Sequence, residues 1–224
     1  MPAGAEEYWI TYEGNDLPED EGWERNWGNW DGQYEGDGAI RTLEDGILTM
    51  DSLFDLGVYD FAYVERPGQV DPGPGETFVM EWRALVEETT GEPYFDAGVG
   101  VGSDDAWLLG FGLYPDAVVS SFEDVTVPIE PGVFHEYRAV STDMRTYELY
   151  IDAEVALTGN FWHGLTESYL TWGDGCQGVA SRTLWDYVRV GVIPEPSSFF
   201  LLLMLCASRM RTYKAKPKQL KECE

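Results

Sequence analysis

At 224 residues the chain is long enough for one sizeable domain, and all-β sandwiches of about 200 residues commonly fold as a single unit. With 44% hydrophobic and 14% aromatic residues it carries enough apolar surface to be expected to fold. The formal net charge of −27 is unevenly spread, since residues 1–191 hold 38 Asp and Glu against 8 Arg and no Lys while the remainder is net basic, and such a polyanionic body excludes nucleic acid and anionic lipid as its partners.

The chain begins "MPAGAEEYWITYEG", with neither the basic n-region nor the apolar h-region of a secretory signal, so an export signal is expected upstream of Met1 or already removed. Residues 6–75 read as a first edge and loop region. Within it "NWDGQYEGDG" sets Asn29, Asp31, Gln33, Glu35 and Asp37 at alternating positions among glycines. Hard oxygen donors on a loop are what calcium needs, so Asp31, Glu35 and Asp37 are candidate calcium ligands. Position twelve from Asp31 is Thr42, so this is not an EF-hand, and an acidic solvated turn is the competing reading. Asp104 and Asp105 form a comparable acidic pair further on.

"GILTM" is the first strand signal, and a Pro/Gly loop follows at 66–76. "FVMEWRALVE" then puts Phe78, Met80, Trp82, Ala84 and Val86 on one face and Glu81, Arg83 and Glu87 on the other, the period of two of a half-buried strand. "FDAGVGVG", "AWLLGFGLY", "AVVSSF", "FHEYRAVS", "YELYI", "EVALTG", "SYLTWG" and "LWDYVRVGV" continue the series at short, turn-rich spacing. No window has a 3.6-residue period, so the expected fold is all-β and antiparallel. His135 reads as a packed, hydrogen-bonded histidine and His163 as a loop residue. Cys176, Cys206 and Cys223 are odd in number and widely spaced, which gives neither a disulfide framework nor a zinc pattern.

Taken together, "GETFVMEWRALVE", "FDAGVGVGSDD", "GVFHEYRAVSTDMRTYELYIDAEVALTG" and "LTWGDG" followed by "RTLWDYVRVG" resemble the strand series of the concanavalin A-like lectin/glucanase superfamily, close to its laminin-G-like members. The resemblance covers residues 76–191 and implies a two-sheet antiparallel jelly-roll sandwich over 1–191, with a curved sheet able to take sugars. Glucanases of that superfamily carry a Glu-x-Asp-x-Glu strand that presents three carboxylates on one face. The matching positions here are Tyr150, Asp152 and Glu154, so the first carboxylate is missing, and Asp152-Ala153 instead fits a hairpin turn between two strands. No required cofactor is expected; calcium remains a candidate.

Polar positions opposite the packed strand faces are Glu81, Arg83, Arg138, Glu148, Tyr150 and Asp186. In a shared sheet they would line a carboxylate and guanidinium groove for sugar hydroxyls, or else form cross-strand ion pairs on a solvent face. Trp23, Trp27, Trp30 and Trp107 are candidate stacking platforms or packing residues.

The segment 192–224 has an apolar run, 199–207, of nine residues, short of a membrane span, followed by a basic stretch over 209–221. The order Pro194-Glu195-Pro196, apolar run, then Arg209, Arg211, Lys214 and Lys216 resembles the PEP-CTERM sorting signal of bacterial envelope and exopolysaccharide systems. That resemblance implies an exosortase-type partner, a membrane contact through an apolar C-terminal helix or tail, and a basic end held inside. The expected protein is therefore exported and non-catalytic, binding extracellular polysaccharide. A glycan hydrolase of the same fold and a calcium-gathering matrix protein are the competing classes.

Overall fold

The computed structural model describes residues 6–29, 38–54, 58–65, 70–90, 97–103, 105–164, 168–174 and 180–194. The described chain forms two eight-stranded antiparallel sheets packed face to face. The first sheet contains β1 (Glu7–Tyr12), β3 (Ile40–Glu44), β4 (Ile47–Asp51), β6 (Glu76–Thr89), β11 (His135–Ser141), β12 (Thr146–Ile151), β13 (Glu154–Asn160) and β16 (Ser181–Pro194). Its order is β13-β12-β11-β6-β16-β4-β3, with β1 also pairing with β16. The second contains β2 (Glu24–Asn29), β5 (Val58–Glu65), β7 (Ala97–Gly102), β8 (Trp107–Leu113), β9 (Ala117–Ser120), β10 (Val125–Pro128), β14 (Trp162–His163) and β15 (Tyr169–Asp174). Its order is β10-β9-β8-β7-β15-β5-β2, and β14 pairs with β8. This is the expected two-sheet sandwich.

The alternation read in β6 holds: Phe78, Met80, Trp82, Ala84 and Val86 are buried, and Glu81 and Arg83 face outward. The closing strand β16 achieves the same result only by changing phase. Ser181, Thr183 and Trp185 face inward; a bulge between Trp185 and Tyr187 then puts Asp186 and Tyr187 in succession, after which Val188, Val190 and Val192 face inward. Aromatic rings join the two sheets. Trp82 stacks on Tyr137 at 5.2 Å and, across the core, on Phe111 at 5.9 Å, while Trp172 meets Tyr12 and Trp185, each at 5.0 Å.

Two expectations change in detail. Residues 6–75 are more than an edge and loops: β1, β3 and β4 enter the first sheet and β2 and β5 the second. Strand β16 continues three residues past 191, with Ile193 opposite Thr77 and Pro194 opposite Glu76. Proline's missing N–H costs nothing at the end of a strand, which is why Pro194 closes the ladder instead of opening the tail. Glu195, Pro196, the apolar run, Arg209 and Arg211 lie outside the described residues, as do Cys176, Cys206 and Cys223.

Candidate functional site

The outer face of the second sheet carries a groove of about 500 Å³ lined by residues of β2, β5, β7, β8 and β15 together with Phe122. Its floor is backbone. In β7 and β8 the inward positions hold Val99, Val101, Leu109, Phe111 and Leu113, which belong to the core, and the outward positions are glycines except for Leu108, which adds an aliphatic side chain to the lining. Gly98 lies opposite Gly112 and Gly100 opposite Gly110, so two neighbouring strands present no side chain over that stretch. On the far side of β7, Gly173 has φ 143°, and a Cβ there would stand 2.5 Å from the Asp60 carbonyl oxygen, so only glycine lets β15 lie this close to β5.

The walls are aromatic. Tyr59, Phe61 and Tyr63 take the outward positions of β5. Tyr59 stacks on Phe61 at 6.0 Å, and Tyr63 stacks on Tyr169 of β15 at 6.1 Å. Across the floor, Phe122 stacks almost parallel to Trp162 at 5.6 Å, and 47% of Trp162 remains exposed. Burial, with the neighbouring Tyr63, pushes the Tyr169 phenol up to about 12, so at neutral pH it keeps its proton. Thr171 and Asn26 add a hydroxyl and an amide. Flat rings, a floor open to close approach and a few neutral hydrogen-bonding groups make a surface suited to sugar rings, whose C–H faces stack and whose edges hydrogen-bond.

Behind the wall sits a buried charge cluster. Asp60, between Tyr59 and Phe61 but facing inward, is fully buried. Its carboxylate accepts from Arg25 Nε at 3.1 and 3.2 Å, from Arg25 Nη2, from Arg41 Nη2 and from the Ala39 N–H at 3.1 Å. Arg25 belongs to β2 and Arg41 to β3, so one carboxylate ties the edges of both sheets together behind the aromatic side chains.

The sequence-derived ligand candidates lie on the opposite face of the sandwich. Glu81, Arg83, Arg138, Tyr150 and Asp186 do share the first sheet, with Arg138 in register between Glu81 and Tyr150. They are engaged chiefly with one another and with the N-terminal strand. Arg138 donates to Glu81 and, at 2.7 Å, to Glu6; the Tyr8 hydroxyl lies 2.5 Å from Glu6 and 2.6 Å from Glu81; Arg83 donates to Asp186; and Tyr150 donates to Glu148 at 2.6 Å. Burial, reinforced by Glu6 and Glu81, drives the Tyr8 phenol far above its ordinary value.

The hairpin expected at Asp152-Ala153 is present. Both residues have positive φ, 50° and 67°, and they connect β12 to β13 with Ile151 opposite Glu154. Asp152 is committed locally, accepting from the Glu136 N–H at 3.0 Å and lying 2.7 Å from His135 Nδ1. Burial works against its ionisation, but the Glu136 N–H and His135 outweigh it and hold the carboxyl below its ordinary value. His135 is packed as expected, with Nε2 2.8 Å from the Glu130 carbonyl. His163 is found in strand β14 instead of a loop, its ring 4.8 Å from Trp107.

Of the tryptophans, Trp23 is buried in the core, Trp107 packs against it, and Trp27 is 42% exposed on β2. Trp30 lies outside the described residues. Trp162 is the exposed ring that backs the groove residue Phe122, and its signal in the sequence was only its place beside His163. The calcium candidates Asp31, Glu35 and Asp37, and Asp104, also lie outside the described residues. Among the described residues, no group of three or more His, Cys, Asp or Glu side chains is arranged to hold a metal ion.

No protein-family model matches the sequence, and no curated protein matches it. Solved structures do match the fold. A carbohydrate esterase from a Shiga toxin-encoding bacteriophage aligns with a TM-score of 0.57 at 8% identity, covering 85% of this chain and 100% of that one. A laminarinase from a Flavobacterium species aligns at 0.50 and 13% identity, covering 83% and 100%. The fold is a two-sheet antiparallel β-sandwich of the concanavalin A-like type.

Proposed function

We propose that this protein is an exported, non-catalytic β-sandwich that binds extracellular polysaccharide in the glycine-floored groove of its second sheet. The observation that carries the reading is the groove itself: stacked aromatic walls on both sides of a floor stripped of side chains by Gly98, Gly100, Gly110 and Gly112. The two structural neighbours, a carbohydrate esterase and a laminarinase, agree with a carbohydrate-related role. Binding without turnover is supported by what the glucanase-like positions do here. Tyr150 bonds to Glu148, Asp152 is held in a turn by Glu136 and His135, and Glu154 begins the returning strand.

The first sheet is the poorer site because its charges are already paired across strands, which costs any ligand the exchange of those bonds. Within the tail over 192–224, the Pro194-Glu195-Pro196 order, apolar run and basic end are assigned to export, as an exosortase-type sorting signal that brings the sandwich to the cell envelope or matrix.

The test is retention of purified protein on a panel of polysaccharides, with reducing ends assayed in parallel. Retention that Trp162→Ala and Phe61→Ala weaken, without release of reducing ends, is the expected outcome. Steady release of reducing ends by the wild type would instead establish a hydrolase. Retention unaffected by either variant would move the site off the second sheet.

A further inference from the structure

The groove lies on a highly charged protein, yet its own side chains are uncharged: phenols and a phenyl ring from β5 and β15, a second phenyl ring at Phe122, aliphatic groups, one hydroxyl and one amide. Six of the eight arginines of the body are committed elsewhere; Arg145 lies over the Trp107 ring, and Arg66 lies outside the described residues. Residues 1–191 contain no lysine. Arg25 and Arg41 hold Asp60, Arg83 holds Asp186, Arg138 holds Glu81, Arg182 holds Asp51, and Arg189 holds Glu13. On the described strands of the groove-bearing sheet, the one arginine is Arg25, and it turns inward to Asp60.

We propose that the groove selects uncharged glycans over those bearing uronate or sulfate, an inference that rests on the carbohydrate reading above. Stacking on Tyr63, Tyr169 and Phe122 is indifferent to charge and would accept either kind of ring. Discrimination comes from what surrounds the stack. A carboxylate or sulfate entering the groove loses water, meets no guanidinium or ammonium in the described lining, and does so within the field of a chain whose formal net charge is −27. A neutral pyranose gives up only hydroxyl hydration, which Asn26, Thr171 and exposed backbone can replace.

Salt dependence separates the two cases. The Debye length is about 20 Å at roughly 20 mM salt and only a few ångströms at about 0.5 M, so whole-body repulsion is felt in the first condition and screened in the second.

The experiment is calorimetric titration of the full chain with three hexasaccharides, a neutral β-glucan, a polyuronate and a sulfated glycan, at those two salt concentrations. The neutral ligand should change affinity by less than about twofold with salt, and the anionic ones should bind at least about tenfold more weakly at low salt and partly recover as salt rises. Thr171→Arg, which adds a cation to the groove, should narrow the gap by raising anionic affinity. Anionic ligands that bind as well as the neutral one at low salt, or that weaken as salt increases in the manner of charge neutralisation, would overturn charge selection while leaving carbohydrate binding intact. If none of the three binds, the carbohydrate reading falls and the selection with it. A Thr171→Arg variant that keeps the wild-type melting temperature but leaves the preference unchanged would place binding outside this groove and also overturn the proposal.

Discussion

Replacing Asp60 with Asn should be the most damaging single-atom change in the protein. The wild-type carboxylate is fully buried and serves two guanidiniums and a backbone N–H, and the Arg41 side chain it holds is only 6% exposed. Asn keeps the volume but removes the charge and turns one acceptor into a donor facing a guanidinium. Removing one partner of a buried ion pair costs about 3–5 kcal/mol because the remaining charge is stranded, a large share of the 5–15 kcal/mol by which a domain of this kind is stable. Arg25, with 24% of its side chain exposed, can turn toward water, so the lower half of that range is the expectation, about 3 kcal/mol. Urea unfolding of wild type and Asp60→Asn gives the difference as a midpoint shift at constant slope. The double variant Asp60→Asn/Arg41→Met should be more stable than Asp60→Asn alone, since it also removes the buried guanidinium, whose remaining carboxylate partner is Glu19 at 2.8 Å from Nη1. A loss below about 1 kcal/mol in the single variant, or no recovery in the double, would refute the view that Asp60 locks the two sheet edges together.

Three other outcomes follow from the same geometry. Ala153→Gly should raise stability by roughly 0.5–1 kcal/mol, seen as a higher melting temperature, because Ala153 occupies the left-handed region at φ 67° where Gly has no penalty. Glu123, Asp143 and Asp152 are all partly desolvated, yet hydrogen bonds to their charged forms prevail and hold each below its ordinary value. Their contribution should be complete above the unfolded carboxylate range near pH 4 and disappear as pH falls through the lower folded values, and Glu123→Gln should flatten that acid limb of the unfolding curve. Truncation after Pro194 should leave the melting temperature within about 2 °C of wild type, while truncation after Val192 should lower it measurably because the Ile193–Thr77 and Pro194–Glu76 pairs are lost.

The architecture was legible wherever the strand pattern was ordinary. In β6 Phe78, Met80, Trp82, Ala84 and Val86 recur at every second position with Glu81, Arg83 and Glu87 between them, and that pattern fixes its inward face. The Asp152-Ala153 turn could be read because an acidic residue followed by a small one interrupts two strand-like runs. Strand β5 escaped because its pattern is inverted: in "VYDFAYVE" the aromatics point out to the groove, and an inward position is filled by Asp60, whose place in the core makes sense only once Arg25 and Arg41 are known to converge on it. The charged residues first singled out sit on a real shared face, but the sequence could not show that Glu6 and Tyr8 would fold back onto it. The better trace of the groove was the spacing of Gly98, Gly100, Gly102, Gly110 and Gly112, with Val, Leu and Phe between them. Glycines at every second position of two successive strands mean one face packed and the other left bare.

Strand β16 pairs along one side with β6 for nearly its whole length and along the other with β4 and then β1, so Glu7–Tyr12 waits for partners at Val188–Val192. A sheet whose first strand is completed by one of its last cannot close while the chain is still being made. Long-range pairings of this kind make folding slow, on the order of milliseconds to seconds. During that delay the acidic composition keeps the growing polypeptide extended and averse to self-association. Late closure of the first sheet therefore leaves its middle open, with β6, β4 and β1 all lacking their common neighbour, until β16 has been made.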